Sequence, residues 1–328
     1  MPSGLVLKAT GSRYDVLDGE RTIVCRLRGK IRLEGSRATN PVVVGDVVDY
    51  QWDAADDISD GASEALITAI HPRRNYIIRR ASNLSKESHV IAANIDLAVV
   101  VATLSNPVTS YEFIDRFLVT CEAYHIPAVV ALNKIDLARR EPQRLQEFKT
   151  VYTKAGYPVI ELSATEGEGI ETLRELLRGG CPCGPEQGLV DLALKGRTTL
   201  VAGNSGVGKS SLIRALEPAA APRIGEVSAS HRKGKHTTTF SQLYPLAGGG
   251  YLIDTPGVKG FGLIDLTPRE LCRYMPDMMR LAPQCRYYNC THTHEPDCAV
   301  IDAASTGEVS RERYESYLKM VEDDEKYR

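Results

Sequence analysis

The sequence predicts a doubly wound α/β domain with a small β-barrel before it and a helical, cysteine-containing segment after it. Three observations carry that expectation. Short strands of alternating polarity fill residues 1–70, and apolar runs alternate with helical segments from residue 95 to about 257. The pattern Cys285-x4-Cys290-x-His292-x5-Cys298 then interrupts a helical final part. A chain of 328 residues is long for one core, so two or three domains are expected.

Composition narrows the class. Charged residues at 25% and hydrophobic ones at 43% are the balance of a soluble globular protein. A net charge of −2 gives no overall attraction to nucleic acid, so such contact must come from local basic patches. The opening "MPSGLVLKAT" lacks a basic region followed by an apolar core, and the run "LAVVVATL" at 97–104 is too short to cross a bilayer. A cytoplasmic location without membrane contact is expected. Among the eight cysteines, Cys25, Cys121 and Cys272 are scattered, and Cys181 and Cys183 read as a solvent-accessible linker pair. Three more cluster at 285–298, which in a reducing compartment suggests metal before disulfide.

In the first seventy residues, "LVLKATGSRYDVL", "RTIVCRLRGKIR", "PVVVGDVVDYQW" and "EALITAI" alternate apolar and polar positions, with glycine or Asn-Pro at the breaks. Four or five short strands in this length suggest an OB-type barrel. Arg21, Arg26, Arg28, Lys30, Arg32 and Arg37 face a single acid, Glu34, a density suited either to a phosphate backbone or to a solvated strand face. "HPRRNYIIRR" at 71–80 reads as a basic hinge. Buried strands then follow in "IDLAVVVATL", "IPAVVALNK", "YPVIELSA", "TTLVAGN" and "YLIDTPG", with helices at 111–124, up to about 154 and at 169–178. From about residue 263 the chain is helical, and the last helix carries an apolar stripe of Tyr314, Tyr317, Leu318 and Val321.

The chemistry is concentrated in four loops. Gly203-Asn204-Ser205-Gly206-Val207-Gly208-Lys209-Ser210, followed by Ser211, satisfies G-x-x-x-x-G-K-[ST] between a strand and a helix. Its backbone N–H groups would surround phosphates at a helix N-terminus, Lys209 would reach the β- and γ-phosphates, and Ser210 would bind Mg²⁺. Asp254 and Gly257 of "DTPG" would hold Mg²⁺ through water and meet the γ-phosphate. Asn133-Lys134-Ile135-Asp136 supplies a carboxylate that can accept from both guanine N1–H and the exocyclic amine, which selects GTP over ATP. Ser163-Ala164 supplies backbone for the guanine O6. In the cysteine cluster, three thiolates and one imidazole make a closed tetrahedral Zn²⁺ site, with His292 preferred and His294 as the competing ligand.

These boxes resemble those of translation-factor-type GTPases in a circularly permuted order, with NKID and SA preceding GNSGVGKSS and DTPG. Added to the barrel and the zinc pattern, "GKIR", "VVGD" and "HTTT" extend the resemblance over nearly the whole chain to the RsgA (YjeQ) family of small-subunit-dependent GTPases. That resemblance implies an OB-fold RNA-binding domain over 1–72, a permuted GTPase domain over 73–262 and a zinc-binding helical domain over 263–328. It implies a monomer that binds the small ribosomal subunit and its rRNA, assists late maturation and hydrolyses GTP with stimulation by the subunit. One structural zinc ion and Mg²⁺ are the implied cofactors. In "HRKGKHTTT" (231–239) it points to Thr238 as the Mg²⁺ and γ-phosphate threonine, with Thr237 and Thr239 as alternatives. His236 would position water. The position after DTPG, where Ras-type enzymes carry a water-orienting Gln, holds Val258.

Overall fold

The structure, a computed structural model, describes residues 1–27, 41–52, 64–80, 88–179, 197–218, 241–254 and 268–326. The barrel comprises β1 (Ser3–Thr10), β2 (Arg13–Asp18), β3 (Arg21–Leu27), β4 (Val47–Trp52) and β5 (Ala65–Ile70). "LVLKATGSRYDVL" turns at Gly11 into a hairpin, so its alternation spans two strands. Pairing β1-β2-β3-β5-β4 closes because β4 returns to β1, and β3 runs parallel to β5. Every second side chain points inward: Val6, Tyr14, Val16, Cys25, Val48, Tyr50 and Ile67 form the barrel core.

The α/β part contains β8 (Leu97–Ala102), β9 (Ala128–Leu132), β10 (Val159–Glu161), β11 (Thr198–Gly203), β12 (Gln242–Pro245) and β13 (Tyr251–Asp254). Its order is β10-β9-β8-β11-β13-β12, parallel except for β12. Both faces are covered, as an all-buried strand requires. Ala98, Val100 and Ala102 of β8 meet α1 (Tyr111–Ala123) and α3 (Pro142–Lys154), while Leu97, Val99 and Val101 meet α4 (Ile170–Arg178) and α5 (Lys209–Leu216). Ser110 caps α1, its hydroxyl accepting from the Phe113 N–H at 3.3 Å. A short turn, α2 (Ile135–Ala138), follows β9.

The expected hinge at 71–80 is instead a rigid joint. Its second half is β6 (Tyr76–Arg80), paired with β7 (Ser88–Ala93), and Ile77 is fully buried. Arg73, part of that basic segment, is buried against the fully buried Asp46, with Nε at 2.7 Å from Oδ1 and Nη2 at 2.7 Å from Oδ2. Gly45 stands at φ +88°, and a Cβ there would lie 2.1 Å from the Ala93 carbonyl oxygen. Only glycine lets the barrel backbone approach β7 so closely. The Ala93 N–H donates to the Val44 carbonyl at 2.9 Å, and Asn94 Nδ2 to that of Gly45 at 2.8 Å.

The final part has α6 (Pro268–Arg273), α7 (Pro276–Met279), a 3-10 turn (Ala282–Gln284), α8 (Ala299–Thr306) and α9 (Arg311–Lys326). Its core of Leu271, Met275, Met278, Tyr317 and Met320 also takes in Val119 of α1. The polar weld between the two parts is Arg313. Its Nε and Nη2 donate to both oxygens of Asp277 at 2.7 and 2.6 Å, and Nη1 donates to Asp115 of α1 at 2.6 Å. All three side chains are shielded, at 1%, 4% and 0% exposure. Burial pushes the Asp115 carboxyl up to about 6, although Arg313 opposes it. Among the described residues no helix is long and apolar enough to cross a membrane.

Replacing Arg313 strands two buried carboxylates. Arg313→Met is expected to lower unfolding free energy by about 3–5 kcal/mol in urea titration. Adding Asp115→Leu and Asp277→Leu should recover most of the loss, since apolar replacement of the whole group removes the desolvation penalty. Unaltered stability of Arg313→Met would show that the group carries no weight.

Candidate functional site

Three loops at the carboxyl ends of β9, β10 and β11 meet in one place. This is the crevice where open parallel sheets bind ligands. Gly203 ends β11, and α5 begins at Lys209, so residues 203–208 form the loop between strand and helix. Val207 is fully buried and pins the loop to the core beside Val99 and Leu212. Gly208, at φ +95°, could carry no side chain: a Cβ would stand 2.4 Å from Asn133 Nδ2. Lys209 Nζ donates to the carbonyls of Gly203 at 2.5 Å and Asn204 at 2.9 Å. Burial lowers its pKa, with Asp254 acting in the other direction. Ser210 and Ser211 lie on the first turn of α5.

Asn133 is 1% exposed, and its side chain is a strut. Nδ2 donates to the Val207 carbonyl at 2.8 Å, and Oδ1 accepts from the Ala164 N–H at 3.1 Å. Lys134 adopts a left-handed conformation, φ 61° and ψ 41°, which carries Nζ across to the carbonyls of Gly206 at 2.9 Å and Asn106. Ile135 is fully buried, and its N–H donates to the Leu162 carbonyl at 3.0 Å. Asp136 accepts from the Ser163 hydroxyl at 2.8 Å, which orients its carboxylate. The Ser163 N–H is bound to the Glu168 carbonyl at 3.0 Å. Asp254 closes β13, in register with Val201 of β11 and Gln242 of β12. Gly257, His236, Thr237, Thr238, Thr239, Cys181 and Cys183 lie outside the described residues.

Several contacts in this site had no motif to announce them. The segment 103–110 shields the phosphate loop: Pro107 is the neighbour that a Gly206 side chain would meet, and Asn106 supplies a carbonyl to Lys134. Thr103 and Thr109 tie that segment to itself, the Thr103 N–H donating to Thr109 Oγ1 at 3.0 Å. A hydroxyl at Thr109, next to the helix cap Ser110, was the only hint.

The cysteine cluster forms the candidate metal centre. The ligand atoms of Cys285, Cys290, His292 and Cys298 all lie within 4.8 Å of one another. Cys285 Sγ is 3.8 Å from Cys298 Sγ and 3.5 Å from His292 Nδ1, and Nδ1 is 3.3 Å from Cys298 Sγ. A tetrahedron with Zn–S bonds of about 2.3 Å requires S···S separations of about 3.8 Å, so the donor set fits. His294 is exposed and bonded to the Thr293 hydroxyl at 2.8 Å, outside the group. Burial lowers the His292 pKa, which keeps the imidazole neutral and its Nδ1 lone pair free for metal. Burial pushes the Cys290 thiol up to about 12, so metal binding must displace its proton. The loop is held by its own Glu295 and, from outside, by two tyrosines. Burial opposes ionisation of Glu295, yet bonds from Thr291 Oγ1 at 2.5 Å and from the N–H groups of Thr291, Thr293 and His294 hold its pKa well below the carboxylate range. Tyr314 and Tyr317 of α9 donate to the carbonyls of His292 at 2.9 Å and Thr291 at 2.6 Å.

Comparison with known proteins agrees with this layout. Residues 70–183 and 186–264 match the family model "RsgA GTPase", and 3–58 match "RsgA N-terminal domain". The chain is 48% identical to the small ribosomal subunit biogenesis GTPase RsgA of Porphyromonas gingivalis, over 99% of this chain and 98% of that one. It is 46% identical to the protein of that name in Bacteroides fragilis, with the same coverage. Among solved structures it is similar to YjeQ from Thermotoga maritima, with a TM-score of 0.71, 32% identity and 98% of each chain covered. It is also similar to YloQ, a circularly permuted GTPase, with a TM-score of 0.68, 25% identity, and 100% of this chain and 96% of that chain covered.

The metal centre predicts a clear assay. Purified protein should hold about one zinc ion per chain, lost in Cys290→Ser and His292→Ala and kept in His294→Ala, by elemental analysis. Retention by His292→Ala with loss in His294→Ala would reverse the histidine assignment.

Proposed function

We propose that this chain, which belongs to the RsgA GTPase family, binds the small ribosomal subunit and assists its late maturation, hydrolysing GTP with stimulation by that subunit. The observation carrying the reading is the junction at Asn133 and Lys134, which joins a guanine-type carboxylate loop to a phosphate loop. In this proposal the carboxylate of Asp136, oriented by Ser163, accepts from guanine N1–H and the exocyclic amine, and the Ala164 backbone supports O6. The loop from Gly203 to Lys209 and the helix end at Ser210 and Ser211 receive the phosphates. Mg²⁺ would be held by Ser210, by Asp254 through water and by Thr238, and would neutralise charge on the transferred phosphoryl group. Gly257 would sense the γ-phosphate.

Val258 cannot orient water, so turnover of the free protein should be slow. His236 would take that task when "HRKGKHTTT" is ordered against rRNA through Arg232, Lys233 and Lys235. The barrel, with the basic run in the sequence from Arg21 to Arg37, would supply a second rRNA contact. The same proposal divides the chain into an RNA-binding barrel over 1–72, the GTPase domain over 73–262 and a structural zinc domain over 263–328. It sets the protein in the cytoplasm, as a monomer.

GTP turnover measured alone, with small subunits and with large subunits tests the whole reading, and stimulation by small subunits alone is expected. His236→Ala should lose the stimulation and keep GTP affinity, and unchanged stimulated turnover would remove His236 from the mechanism. Asp136→Asn, which puts an amide where a carboxylate should accept two protons' bonds, should weaken GTP binding at least about tenfold in a calorimetric titration. Unchanged affinity would displace the base from this loop.

A further inference from the structure

The barrel's first strand has two faces, each belonging to a different core. Val6 of β1 is fully buried among Val16, Cys25 and Val48 inside the barrel. Leu5 and Leu7 point the other way and pack against the core that holds Leu243 of β12 and Ile253 of β13. The backbone follows the side chains. Lys8 of β1 faces Gln242 of β12, Gln242 faces Asp254 of β13, and Asp254 faces Val201 of β11. One transverse row of the sheet therefore runs from the barrel to the strand that carries the phosphate loop.

The position of β12 in the chain gives this row its meaning. In the sequence Gln242 follows Thr238 by four residues, so β12 begins just after the threonine run. In an open sheet β12 would be an edge, with outward N–H and C=O groups facing water. The barrel instead adds a strand to that edge, the geometry by which sheet edges capture extended partners. Close-packed cores transmit a displacement instead of absorbing it. A shift of β1 therefore reaches β12, and through it Asp254.

We infer that Leu5 and Leu7 are positioning residues for GTP hydrolysis: by seating β1 on β12 they carry contact between the barrel and the small subunit to the metal-side strands. The inference rests on the proposed stimulation by the subunit. Leu5→Ala/Leu7→Ala removes the seat and leaves the barrel core untouched. The chain's single tryptophan, Trp52 of β4, reports by its emission whether the barrel is folded. If the double variant does not fold, Leu7→Ala alone is the one to read.

Stimulated kcat should fall about tenfold, while the KM for GTP and co-sedimentation with small subunits stay within about twofold. Methionine at both positions, which refills the volume, should restore kcat. Equal stimulation of the parent and alanine chains overturns the inference. So does loss of co-sedimentation in parallel with stimulation, because the seat would then serve docking alone. Absence of stimulation in the parent chain would instead remove the proposed function itself.

Discussion

Asn133 donates to the phosphate loop with one end of its amide and accepts from the 163–164 loop with the other. The site depends on this pair of bonds, because it joins three loops that no covalent path connects closely. Val207 is 74 residues further along the chain. Gly208 must lack a Cβ for the amide to fit, and Lys134 must be left-handed for its ammonium to reach Gly206. A permuted chain can keep a working site because such contacts fix the loops relative to one another, whatever the order in which the loops are connected. Removing the amide would leave the buried Val207 carbonyl and the part-buried Ala164 N–H without this partner at once.

The same logic operates at the domain joints. Arg313 satisfies Asp277 bidentately and Asp115 with its remaining edge, so α9 is welded to α1. One residue and one turn further along α9, Tyr314 and Tyr317 hold the carbonyls of His292 and Thr291 in the candidate metal loop. A single helix thus carries both the metal loop's support and the domain contact. At the other joint, Asp46 binds Arg73 and the Val43 N–H together, and Gly45 allows backbone to meet backbone. Neither joint resembles a flexible linker.

Much of this was legible in the sequence, for identifiable reasons. Buried parallel strands read as uninterrupted apolar runs, which is why β8, β9 and β11 stood out, and the loops after them carried motifs with a chemical rationale. The grouping of Cys285, Cys290, His292 and Cys298 was legible because few residue types bind zinc. What escaped notice were contacts whose partners lie far away in sequence. Nothing local announces that Arg73 pairs with Asp46 or Arg313 with Asp277. β12 was missed because "QLYP" is short and ends in proline, and only its pairing with β13 and β1 makes it a strand. Asn133 read as part of a motif, while its role as a strut needed the positions of Val207 and Ala164.

β11 is the central strand, with β8 on one side and β13 on the other. The Thr198 N–H at its start donates to Asp96, 102 residues earlier. A chain emerges from synthesis with its N-terminal end first. β8, β9, β10 and the loop at 133–136 therefore exist well before the strand that completes them. Until β11 is inserted, β8 has an unpaired apolar edge, a template for wrong pairing. The Asn133 amide meanwhile awaits a carbonyl that has not been made. Permutation makes the phosphate loop a late piece of the sheet, followed there only by β13 and β12, so a nascent molecule acquires its affinity for nucleotide only after β8, β9 and β10 have been made.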